Sequence, residues 1–244
     1  MFQLFLEFYV RAFAVLLPAG VTAIVAIYAL RAGLPRRKIV ATTLGVNTLF
    51  ALWHAGAAAM TEAGLIMPPP TLTDPPYVMM FLIGGAVLLW ALARLTSTGR
   101  SITDAMGQDV LIGVQSFRVM GWVFVLGWAL GAIPWQFALP AGLGDIWAGI
   151  AGYRAMRAVN RGDPDADRLV LRANIIGLAD FAVAVFTGLI TSQGFLHLLA
   201  EHNPNIINAW PLGLFPAFFV PIFLAFHLVS LGRLRAARAL PVPA

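Results

Sequence analysis

The chain contains no cysteine, which excludes disulfides, thiolate metal sites and thiol nucleophiles. Charge is scarce as well. Asp, Glu, Lys and Arg make up 11% of the 244 residues, against roughly 25% in a soluble domain. So few charges cannot solvate a globular surface. Lys38 is the sole lysine and lies between apolar runs, so no retinal Schiff base forms in the last of them. Catalytic signatures are missing too. There is no HExxH, GxSxG, Walker A or GxGxxG pattern, and no paired-aspartate motif of the prenyltransferase kind. No cofactor and no metal centre are expected from this inventory.

Apolar sequence fills the chain instead: 60% of residues are hydrophobic and the mean hydropathy is +0.83. Seven runs stand out, at about 8–30, 39–61, 77–95, 110–131, 137–157, 169–190 and 212–232. Each is close to the ~20 residues that cross a bilayer as a helix. The expected fold class is all-α, a polytopic membrane protein with seven transmembrane helices forming one domain over 1–244. Pro216 and Pro221 interrupt the last run, so six spans plus a re-entrant segment is the alternative.

The formal net charge of +5 is carried by short connections, so it reads as topology and not as a nucleic-acid surface. Basic connections hold Arg31, Arg36, Arg37 and Lys38; Arg94 and Arg100; Arg154, Arg157, Arg161 and Arg168. Arg172 snorkels to the same side, and the tail holds Arg233, Arg235 and Arg238. The connections between them lack Lys and Arg. The positive-inside bias then puts the N-terminus outside and the C-terminus in the cytoplasm, in a bacterial inner membrane. The first run is followed, not preceded, by its basic cluster, which is unlike a cleaved signal. Trp135 and Trp210 fall at the outer interface. The Pro-rich stretch 67–76 is expected to be extended, and 195–202 to be a short amphipathic helix on the outer surface. Glu7 and Arg11, four apart, suit an interfacial salt bridge.

The tetrapeptide LPAG occurs at 17–20 and again at 139–142, and each copy leads into a cytoplasmic stretch bearing Tyr and Arg. With the fourth run as linker this gives a 3+1+3 parallel arrangement. In topology and length it resembles the SWEET sugar transporters, whose halves are parallel repeats. The resemblance implies a repeat and carries no residue correspondences.

Ionisable residues inside spans are costly and mark functional candidates. From a rise of about 1.5 Å per residue, Arg118, Asp145 and Asp180 lie about 12, 18 and 16 Å from the inner edge. Being at one depth, they are expected to form one buried cluster, with Gln115 and Asn174 nearby. Two carboxylates against one guanidinium leave one negative charge in excess, an arrangement suited to proton coupling. A static ion pair locking three helices is the other reading. Gly177 and the run AGLGDIWAGIAG allow close helix approach around the cluster. His54 and His227 are secondary candidates. Their depths differ by roughly 14 Å, which separates them as haem ligands and leaves each an interhelical hydrogen-bond partner. His197, Glu201 and His202 make no complete metal-ligand set.

The leading functional expectation is a proton-coupled transporter or permease for a small solute, centred on this cluster. A membrane-embedded enzyme acting on a lipid or isoprenoid and a non-catalytic subunit of a larger membrane complex are the alternatives. The expected partners are the lipid bilayer, a small-molecule solute, and a membrane-protein partner or a second copy.

Overall fold

The computed structural model describes residues 1–239, with side chains through 237; Arg238, one of the expected tail cations, lies outside the described side chains. Among the described residues every regular element is helical. They are α1 (Phe2–Arg31), α2 (Arg36–Glu62), α3 (Tyr77–Leu95), α4 (Ser97–Ala105), α5 (Gln108–Ala129), α6 (Trp135–Asn160), α7 (Ala166–Thr191) and α8, a π-helical Phe215–Phe219 continuing as Val220–Ala239. Six of these, all but α4 and α6, are long and apolar enough to cross a membrane. Helix α6 has 26 residues but is less apolar, because Gly, Ala, Pro140 and Asp145 dilute its Leu and Ile.

Helices α5, α6 and α7 pack together, and α8 lies against α3 on one side and α5 and α7 on the other. The outward faces of α2 and α3 stay exposed and carry Leu44, Leu52, Met80 and Leu88. An apolar exterior around a packed interior is the pattern of a chain whose solvent is lipid.

The last run is one continuous helix from Phe215, long and apolar enough to cross a membrane. Pro216 sits in the first turn of α8, where a missing N–H costs no helical bond. Pro221 cannot bond the Ala217 carbonyl, and the backbone around it winds as a π-helix. The Trp53 indole of α2 donates to that carbonyl at 2.9 Å, so the polar group freed by proline becomes an interhelical tie.

One expectation is corrected, and one connection is found to be helical. Residues 195–202 are not helical: the N–H groups of Leu198 and Leu199 both donate to Ile190 O, and Ala200 holds a left-handed φ of 64° that a helix does not continue through. The basic connection after α3 contains the helix α4. Its cap Thr96 accepts from the Gly99 N–H at 3.0 Å, and Arg94 pairs with Asp104 at 2.6 Å. Arg233 of α8 donates to the carbonyls of Thr103, Asp104 and Met106, so the end of α8 and the end of α4 meet on one side of the bundle. The Glu7–Arg11 pair forms at the opposite side, at 2.6 Å and exposed.

Candidate functional site: a buried arginine between two aspartates

The middle of α5, Val114–Gly121, winds as a 3-10 helix. With three residues per turn, Gln115, Arg118 and Gly121 fall in one row, and all three are buried. That row faces α6, α7 and α8. Arg118 is only 1% exposed, so a cation placed there needs partners on every donor.

The partners come from three helices. Arg118 Nε donates to Asp145 Oδ1 of α6 at 2.8 Å, and Nη2 donates to Asp180 Oδ2 of α7. Nη1 donates to the Gly177 carbonyl at 3.0 Å and lies 3.4 Å from His227 Nε2 of α8. The Phe181 ring covers the guanidinium face at 3.6 Å. One guanidinium therefore holds two carboxylates, and with both of them ionised the centre carries one negative charge in excess.

Glycine makes room for these groups. A Cβ on Gly144 would strike the Asp180 carboxylate, and one on Gly177 would strike the His227 ring. The small residues of α6 and α7 thus clear volume for polar side chains as well as for neighbouring helices.

From His227 a line of hydrogen bonds runs away from the aspartates. Asn174 Nδ2 donates to Val170 O and to Ser230 Oγ, both at 2.9 Å, which leaves its Oδ1 to accept from His227 Nδ1 at 2.8 Å. His227 is then the Nδ1–H tautomer, and its bare Nε2 faces Arg118 Nη1. Ser230 Oγ donates to Gln108 Oε1 at 2.8 Å, and Gln108 Nε2 returns a bond to Ser230 O at 2.9 Å. Every donor from Arg118 to Gln108 points the same way, and the line joins α5, α7 and α8.

The structure thus brings Arg118, Asp145, Asp180 and His227 together, with Asn174 one bond further out. Gln115 shares the face of Arg118 but not its partners: Nε2 donates to Phe223 O at 3.1 Å, and Oε1 has no partner among the described residues. His54 lies elsewhere, edge-on to Phe218 at 5.5 Å between ring centres. Residues that the sequence left unmarked are Phe181, Ser230 and Gln108. The spacing of His227 and Ser230, three apart on one helix face opposite Asn174, was the available signal. Among the described residues no three His, Asp or Glu side chains group as metal ligands.

A cavity of about 230 Å³ ends on this centre. Asp145 and Asp180 line its inner end. Along α7 its wall runs from Asp180 to Leu189, about 13 Å of helix. Pro68, Pro69, Phe195 and Asn208, from the connections without Lys or Arg, line its outer end. Phe195 N–H donates to Pro69 O at 3.1 Å, which binds those two connections into one cap. Phe124, Phe137 and Phe215 form much of the remaining wall, and among the described residues no Lys, Arg or His lines the cavity. A larger cavity of about 410 Å³ lies toward α4, among α1, α2, α3 and α8, and among the described residues no ionisable side chain lines it.

Residues 75–235, more than half of the chain, match a protein family described as a domain of unknown function, DUF8737, and the chain belongs to that family. Searches of the curated proteins and of the solved structures find no match to it. The matched region contains the whole Arg118–Asp145–Asp180–His227 centre.

Proposed function

We propose that this protein is a proton-coupled permease for a small solute in a bacterial inner membrane. In this reading the chain crosses the bilayer seven times, with the N-terminus outside and the basic connections in the cytoplasm. Helix α6 is then the seventh span. It owes its low hydropathy to the glycines and the aspartate that build the centre; one face packs on α5 and α7, and the other presents Leu143, Trp147 and Ile150 to lipid. The distribution of Arg and Lys supports the orientation.

One observation carries the reading: a cavity from the face whose connections lack Lys and Arg ends on a charge centre whose carboxylates outnumber its cations. Asp180 Oδ1 is buried and accepts no hydrogen bond among the described residues. A proton on Asp180 balances the centre, and its departure leaves a charge for a solute to balance. A structural ion pair alone needs one carboxylate and no cavity.

Purified protein in liposomes with an internal pH dye tests this. Gradients of amines, amino acids, sugars and carboxylates are applied one class at a time. The permease reading expects internal pH to move with at least one class and not in protein-free liposomes. Internal pH that responds to none of them contradicts it.

A further inference from the structure

We propose that the cavity above Asp145 and Asp180 binds a small hydrophobic monoamine, its ammonium on Asp180 and its apolar body among the phenylalanines. The inference deepens the permease reading and rests on it for transport, though not for binding.

Charge sets the sign of the ligand. Arg118 contributes one positive charge and Asp145 and Asp180 contribute two negative ones. An anion has no partner here. Every nitrogen of Arg118 is engaged by Asp145, Asp180, Gly177 or His227, and Phe181 covers the guanidinium face. A single positive charge removes the excess, and a second would create a new one.

Hydrogen bonding sets the head group. Asp180 lines the cavity, its Oδ1, buried against Gly144, accepts no hydrogen bond among the described residues, and an ammonium brings three donors. A sugar would need partners for many hydroxyls. Among the described residues the carboxylates and Asn208 are the only polar side chains on the lining. The wall formed by Phe124, Phe181 and Phe215 suits an apolar or aromatic body and places ring faces near a cation.

Volume sets the size. Pockets for drug-sized ligands run roughly 300–1,000 Å³, and this one holds about 230 Å³. A ligand with one ring or a short alkyl chain fits that space.

The same charge count couples the ligand to protons. A proton on the Asp180 carboxylate and an ammonium beside it each neutralise the single excess charge, so they exclude one another. Binding of RNH₃⁺ releases one H⁺ from Asp180, with no net charge transferred.

The probes are phenethylamine, phenethyl alcohol and phenylacetate, which share a body and differ in charge. Binding is measured by calorimetry on the full chain in lipid nanodiscs, with protein-free nanodiscs subtracted. A pH indicator in weak buffer follows proton release. The amine should bind about 10- to 100-fold more tightly than the alcohol, the difference a charge-assisted hydrogen bond makes. The acid should not bind, and amine binding should acidify the medium. Asp180→Asn should bring amine and alcohol to within about 3-fold of each other. The inference is overturned if alcohol or acid binds as tightly as the amine, or if the amine does not bind. The ligand series on the unmodified protein decides this even where Asp180→Asn fails to fold. Selective amine binding without proton movement in liposomes leaves the inference standing and overturns the permease reading. Proton movement with other solutes and no amine binding does the reverse.

Discussion

Arg118→Gln and Asp145→Asn should differ sharply, though each removes one charge from the same centre. In Arg118→Gln the carboxylates of Asp145 and Asp180 lose their shared cation and face each other in a dry interior. Breaking a buried pair by deleting one partner costs about 3–5 kcal/mol. For a chain of this size a loss of about 1 kcal/mol lowers the thermal midpoint by roughly 2–4 °C, so a drop of about 6–20 °C follows. In Asp145→Asn the amide oxygen still accepts from Arg118 Nε, and Asp180 still balances the guanidinium. The loss is then that between a charged and a neutral acceptor, about 1 kcal/mol or roughly 2–4 °C. Unfolding of detergent-purified variants, followed by size-exclusion chromatography after heating, gives the midpoints. Arg118→Gln combined with Asp180→Asn should recover part of the loss, because only one carboxylate is left without a cation. A midpoint for Arg118→Gln equal to that of Asp145→Asn would refute the charge count on which the site rests.

Two further outcomes are expected. Gly144→Ala places a methyl group against the Asp180 carboxylate and should cost about 1–3 kcal/mol by overpacking; a midpoint within about 1 °C of the unmodified protein contradicts the geometry of that contact. The chain has no cysteine, so single-cysteine variants report sidedness cleanly. A membrane-impermeant maleimide should label Glu201→Cys in intact cells and Arg100→Cys only after permeabilisation, and the opposite pattern would invert the topology.

Much of this centre was legible in the sequence because helix rise is regular. Arg118, Asp145 and Asp180 are distant along the chain, yet counting residues from the basic ends placed them at one depth. The same arithmetic set His227 apart from His54 and left it a secondary candidate. Two local departures from α-helix were not anticipated. The 3-10 stretch around Arg118 rises about 2.0 Å per residue instead of 1.5 Å. The last helix starts at Phe215 with a π-helical turn, not at residue 212. Neither has a sharp sequence signature, although Pro221 foretells the second. Gln115 was assigned to the centre by its face alone, but its amide bonds the Phe223 carbonyl. Helix α4 went unread because Ser97–Ala105 is short and polar, and Thr96 as its cap was the one cue. Proline spacing suggested a broken last span; what it could not show was the Trp53 indole that accommodates the break.

Coupling at Asp180 is the central claim, and comparing exchange with accumulation tests it most directly. Liposomes holding equal amounts of unmodified protein or Asp180→Asn are loaded with solute and assayed twice. Solute-for-solute exchange needs only binding and passage, while uphill uptake driven by a pH gradient needs a proton carrier. Asp180→Asn should retain measurable exchange and lose gradient-driven uptake, at a thermal midpoint within a few degrees of the unmodified protein. Gradient-driven uptake by Asp180→Asn equal to that of the unmodified protein would contradict the account and leave the Arg118 centre as a structural lock.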